Sequence, residues 1–239
     1  MAQQTLQLDR AVIKWAVNGL QTSEQHAMAA LAAGQPLLVL MHGLGSNEND
    51  LIQLVDKLPA TFVCASVRAV LDSYGDSGGY SWFPLSLQPG GVEPDDSEGT
   101  ALVAARAVIE WIDSLRTTLE SIGGKLDTVA LMGFSQGGVM VTTMLRERPT
   151  EYLAGVNCSG FISPGEFAGD ARLREIKPPL FWGRDPLDPV IGHGAIKITS
   201  AWSPAHTTLT ERHYDGIAHS ICAAELQDIS DFLTAELAK

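Results

Sequence analysis

"TVALMGFSQGGVMVTTML", residues 128–145, joins one apolar run to another through a serine with glycines two positions away on either side. Thr128–Phe134 is nearly continuous in apolar residues, as a strand buried on both faces must be. From Gln136 the pattern becomes that of a helix, closed by Pro149. Ser135 therefore stands where a strand ends and a helix begins. That is the setting of a nucleophile elbow, a turn tight enough to demand small residues two positions before and after the serine. Gly133 and Gly137 meet the demand, and Gly138 lets the helix approach the sheet. A serine so placed projects above the carboxyl edge of an α/β sheet, where such folds bind ligands. Its structural alternative is a plain helix N-cap.

Outward from this junction the same alternation continues. Residues 36–43, 61–67, 153–160 and 178–183 are short apolar runs ending in Gly or polar residues, and read as further buried parallel strands. Residues 97–124 form a long amphipathic helix stopped by Gly123-Gly124, with Leu102, Val103, Ala107, either Val108 or Ile109, and Ile112 near one stripe. Helices are also expected over 47–59, with Asn47 as N-cap, and over 220–239. Residues 6–17, "LQLDRAVIKWAV", suit an edge strand able to pair antiparallel, and 23–34, "SEQHAMAALAAG", fits either a short helix or a loop. Residues 71–97 have no periodicity. Long segments of that kind are often functional, so this one is expected to cover a site. The pattern predicts one domain over 1–239, with a mostly parallel, doubly wound sheet and helices on both faces.

A serine is a weak nucleophile without a base. In folds of this kind the chain order is serine, acid, histidine. His219 lies in "YDGIAHSIC", a loop after the strand-like "TTLTERHY" and before the last helix, where the base belongs. His206 and His213 lie on that strand-like run and suit structural or exposed roles. His193 lies too close in sequence to the candidate acids. The acid belongs after the strand "PPLFWG", in "RDPLDPVIG", where both Asp185 and Asp188 qualify. Either could instead be a turn residue before proline. An oxyanion needs two backbone donors: Gln136, directly after the serine, and Leu44, in the bend after the first buried strand. His42 has no second His or Cys at ligand spacing, so no metal site is expected.

Composition narrows the partners. The 239 residues carry a formal charge of −12. No basic stripe offers the phosphate contacts that nucleic-acid binding depends on, and stable association with anionic membranes is disfavoured. The start lacks a basic segment followed by an apolar one, as a signal peptide would have, and no run is long enough to span a bilayer. Cys64, Cys158 and Cys222 form no CxxC and read as reduced thiols, which suits the cytoplasm.

Five motifs in order, "HGLGSNENDL", "GGYSWFPL", "GFSQGG", "DPVI" and "YDGIAHSI", resemble the phospholipase/carboxylesterase family of the α/β-hydrolases, over nearly the whole chain from about residue 36. That family includes small bacterial carboxylesterases and acyl-protein thioesterases. The resemblance implies a hydrolase without a separate lid domain and without a cofactor, and it suggests that Trp82 and Phe83 lie beside the substrate. One departure concerns the acid. The family usually places it three residues after the strand-ending glycine, whereas Asp185 and Asp188 stand two and five after Gly183. The resemblance favours Asp188, because Asp188-Pro189-Val190-Ile191 resembles the acid, proline and paired aliphatics of the family's loop, and leaves Asp185 the turn role. The expected activity is that of a serine carboxylesterase on small-molecule esters of small to medium acyl chain. A thioesterase or lysophospholipase is the alternative within the family, and a binding protein that has lost turnover is the alternative outside it. Monomer and homodimer are both compatible with the sequence.

Overall fold

The computed structural model describes residues 6–73, 79–88, 91–93 and 99–239. The strands are β1 (Lys14–Val17), β2 (Leu20–Thr22), β3 (Leu37–Met41), β4 (Val63–Val67), β5 (Leu71–Asp72), β6 (Tyr80–Ser81), β7 (Ser86–Gln88), β8 (Gly91–Glu93), β9 (Val129–Phe134), β10 (Gly155–Cys158), β11 (Pro179–Arg184) and β12 (Thr208–His213). The helices are α1 (Glu24–Ala32), α2 (Thr100–Ser121), α3 (Gln136–Glu147), α4 (Asp170–Ile176), α5 (His193–His206) and α6 (Ala223–Leu237).

The main sheet runs β12-β11-β10-β9-β3-β4-β1-β2, parallel from β12 to β4 and antiparallel through β1 and β2. Alternate residues of each central strand enter opposite cores. Leu37, Val39, Met41, Val129 and Leu131 pack with α1, α2 and α3 on one face. Leu38, Leu40, Ala130, Met132 and Val156 pack with Leu51, Val55, Ile229 and Leu233 on the other. This is the doubly wound α/β-hydrolase architecture. On α2 the buried stripe runs through Ala101, Ala104, Val108, Ile112, Leu115 and Leu119, and leaves Leu102 and Val103 half-buried.

Several elements differ from the sequence expectation. The N-terminal strand is not at the edge. Asn18 and Gly19, both with positive φ, turn β1 into β2, and the short β2 takes the edge position. The helix expected over 47–59 is a 3-10 run, Leu51–Lys57. Asn47 does not cap it, because its side-chain oxygen accepts the Asn49 amide at 2.9 Å in a local turn. Residues 23–34 resolve into helix α1, whose Ser23 hydroxyl accepts the His26 amide. Helices α4 and α5 had no counterpart in the expectation. Among the described residues, no helix is long and apolar enough to cross a membrane.

Candidate active site

Ser135 sits between β9 and α3 with φ 53° and ψ −114°, a conformation an L-residue adopts only under constraint. Its amide donates to the Cys158 carbonyl at 2.8 Å. The neighbouring glycines are required by space. A Cβ at Gly133 would run into the Gly137 carbonyl, one at Gly137 into the Met41 carbonyl, and one at Gly138 into the Asn157 side-chain oxygen. The helix can start this close to the sheet only without those atoms.

The loop from β12 to α6 brings His219 to the serine, with Nε2 2.9 Å from Ser135 Oγ. Its Nδ1 lies 2.7 Å from Asp188 Oδ2. The other Asp188 oxygen accepts the amides of Val190 at 2.8 Å and Ile191 at 3.2 Å, which fixes the carboxylate. A neutral imidazole that donates its Nδ1 proton to Asp188 keeps a lone pair on Nε2 for the serine proton. The Phe134 ring lies against the imidazole, centroids 4.9 Å apart.

Asp185 has a different task. It accepts the Leu187 amide at 2.8 Å and, across to the histidine loop, the Ala218 amide at 2.7 Å. These amides, Leu187 first and then Ala218, Gly216 and Ile217, hold its carboxyl below the usual range. Asp185 thus grips the backbone that carries His219, while Asp188 touches the ring. Two of the remaining candidate histidines are engaged elsewhere. His206 Nδ1 faces the Trp202 carbonyl and its Nε2 accepts from Arg174, and His213 pairs with Glu211. His193 is exposed at the start of α5.

On the other side of Ser135 stand Leu44 and Gln136. Gln136 is the first residue of α3, so its amide has no carbonyl partner within the helix. The segment Tyr80–Phe83 laces the two elements together. Gly45 donates to the Tyr80 carbonyl at 2.8 Å and Tyr80 to the Ser46 carbonyl at 2.9 Å. The Trp82 indole donates to the His42 carbonyl at 2.9 Å, and its amide donates to Gln136 Oε1 at 2.8 Å. Gln136 Nε2 completes the bracket by donating to the Phe83 carbonyl at 2.5 Å. His42 Nδ1 donates to the Gly43 carbonyl, and Nε2 accepts the Ala69 amide. Both ring nitrogens are therefore occupied, and burial lowers the pKa of the imidazole. Among the described residues no group of three or more His, Cys, Asp or Glu is placed to hold a metal ion.

Trp82 and Phe83 do not stand where a substrate wall would. They are 0% and 2% exposed and belong to the core. A buried indole needs an acceptor for its N–H, and the His42 carbonyl supplies it. The cavity at Ser135, about 170 Å3, is walled instead by Leu44, Leu85, Phe134, Phe161, Val190, Ile191 and His219. Part of the segment 71–97 does reach this region. β8 packs so closely on the loop after Asp188 that a Cβ at Gly91 would lie 2.7 Å from the Val190 carbonyl oxygen. Residues 74–78, 89–90 and 94–98 of the segment lie outside the described residues. The wall residues had partial signals in the sequence: Phe134 adjoins the serine, and Val190 and Ile191 follow Asp188.

An elbow serine on a doubly wound sheet, with histidine and acid on the following strand ends, is the arrangement of an α/β-hydrolase. The chain belongs to the phospholipase/carboxylesterase family, whose profile it matches over residues 26–237. It is 29% identical to acyl-protein thioesterase 1 of Saccharomyces cerevisiae over 119 residues, a match spanning 48% of this chain and 52% of the yeast protein. Among solved structures, a phospholipase/carboxylesterase from Dyadobacter fermentans superposes with a TM-score of 0.68 at 18% identity, covering 98% of this chain and all of that one. A carboxylesterase from Mesorhizobium loti gives a TM-score of 0.68 at 16% identity, covering 86% of this chain and 91% of the other. Structural likeness at these identities establishes the fold. The chain spans about half the length of the curated relative it matches.

Proposed function

We propose that the protein is a serine carboxylesterase acting on small-molecule esters of small to medium acyl chain. The observation that carries this reading is the unbroken relay from Ser135 Oγ through His219 to Asp188, at 2.9 Å and 2.7 Å. His219 Nε2 takes the serine proton as Oγ attacks the ester carbonyl. The carbonyl oxygen gains negative charge and is held by the Leu44 and Gln136 amides. Asp188 keeps the ring oriented and stabilises the imidazolium. The imidazolium returns its proton to the leaving oxygen, the C–O bond breaks, and an acyl-enzyme remains. Water, deprotonated by the same nitrogen, releases the acid and restores Ser135. The modest apolar cavity beside Ser135 supports a small or medium acyl group. The three free thiols and the formal charge of −12 support a cytoplasmic setting without nucleic-acid partners.

A thioesterase is the second reading, favoured by the match to the yeast protein. The chemistry is the same, and only the leaving atom differs. Rates on matched esters and thioesters of increasing acyl length separate the two. The shared nucleophile is tested by a serine-directed phosphonate, which should add at Ser135 and abolish hydrolysis. An adduct mapped to any other serine defeats the proposal.

A further inference from the structure

A second cavity, about 260 Å3, shares Phe134 and His219 with the first and extends to the 3-10 run Leu51–Lys57. We propose that this groove receives the leaving group, and that Asp50 at its wall selects leaving alcohols carrying a positive charge. The inference rests on the esterase reading above and adds to it a substrate class.

The assignment follows from where the proton must go. In the acylation step His219 Nε2 gives its proton to the leaving oxygen, so that oxygen's substituent has to extend along His219. Ser135 and Leu44 line the first cavity and not the second, which keeps the acyl carbonyl in the first. The groove is floored by Leu51, Leu54, Phe134 and Ile221, all apolar. Besides His219, two polar side chains complete its lining. The Ser220 hydroxyl is turned away to the Ile217 carbonyl at 2.6 Å. Asp50 is exposed and accepts the Ser46 hydroxyl at 2.7 Å, and among the described residues no lysine or arginine pairs with it. The nearby Arg68 is held by Glu48. An apolar floor beside one uncompensated carboxylate fits a small alcohol with a quaternary ammonium end. The same carboxylate repels leaving groups that bear phosphate, such as a glycerophosphate or coenzyme A. The overall charge of −12 acts in the same sense.

The test compares butyrylcholine with its uncharged isostere, 3,3-dimethylbutyl butyrate, at low ionic strength. Acyl group and shape are shared, so the ratio of kcat/KM values reports the charge alone. The wild type should favour the cationic ester about three- to tenfold, the range for a half-screened carboxylate nearby. The ratio should fall toward one at high salt and in Asp50→Asn, and invert in Asp50→Lys. Phosphonate titration of Ser135 counts active sites in every variant and so controls for folding. A wild-type ratio of one, or a ratio unchanged in Asp50→Asn, overturns the proposal. So does hydrolysis of 4-nitrophenyl butyrate with neither member of the pair accepted. If no ester is hydrolysed and Ser135 takes no phosphonate, the esterase reading itself has failed.

Discussion

On one side of Ser135, buried carboxylates do the holding: Asp188 accepts from the His219 ring, and Asp185 from the backbone amide of Ala218 beside it. On the other side stand Leu44 and Gln136, proposed to act through their backbone N–H groups, and the side chains around them, His42, Trp82 and Gln136 itself, are buried. The difference follows from what each side presents. A titrating imidazole must meet the substrate, so its supports are carboxylates that reach it or its backbone from the loop beside it. An amide donor has no side chain to orient, so it is held by locking two backbone segments together. Residues of the first kind announce themselves by type. Those of the second kind look like core.

The comparison breaks first at Asp188. Asp188→Asn leaves an amide that holds the ring in the wrong tautomer, and kcat should fall about 10³–10⁴-fold with the circular dichroism spectrum unchanged. A fall under tenfold would mean that the ring is oriented by something other than this carboxylate.

Gln136→Met tests the other side. It keeps the volume and removes both hydrogen bonds of the bracket to Trp82 and Phe83. The Gln136 backbone amide remains, but its position relative to Leu44 is loosened. We expect kcat to fall roughly 10–100-fold, by the same factor for every acyl length. Losses that grow with acyl length would return Trp82 and Phe83 to the substrate wall.

The unequal legibility of the two sides has the same origin. The meeting of Ser135 with His219 was readable because the glycines around the serine mark a tight strand–helix turn and His219 stands in the loop before the last helix. The central strands were readable because burial on both faces leaves nothing polar in the run. The bracket was not readable, because a buried Trp82 looks the same in sequence whether it packs against a ligand or holds a carbonyl. Asp185 looked like a turn residue, and its bond to Ala218 crosses 33 positions. Helix α5 was hidden by its β-branched residues and by Pro204 in its last turn. The Asn18-Gly19 turn stands plainly in the sequence, but of the strand expected over 6–17 only Lys14–Val17 forms, and Arg10–Val12 is a 3-10 turn.

Asp185→Asn should cost less than either change above. The amide can still accept from Leu187, but it places a donor group or a weaker acceptor against the Ala218 amide. With the histidine loop loosened and the ring contact intact, kcat should fall about tenfold at unchanged KM. A loss equal to that of Asp188→Asn would mean that holding the loop matters as much as holding the ring.

The smallest effect on rate, and a measurable one on stability, is expected beneath the acid–base side. Glu225 lies in the first turn of α6 with 0% exposure. Its carboxyl packs against Gly183 of β11, and the Cys158 thiol and the Cys222 backbone offset its burial only in part. Burial pushes its pKa from 4.5 up to about 7. The sign follows from proton counting: between those values the folded chain holds a proton that the unfolded chain has released. Stability therefore falls as pH rises from 4.5 to 7, and the full penalty, about 3 kcal/mol, is present above that range. Glu225→Gln stays neutral and should lack this slope. Urea unfolding at pH 5 and pH 8 should show the wild type losing up to about 3 kcal/mol more than the variant, while the rates of the two folded proteins remain alike. Equal losses in both would mean that water reaches the carboxylate in the folded state. A rate that fell with the substitution would extend the support of His219 from the Asp185 contact down into α6.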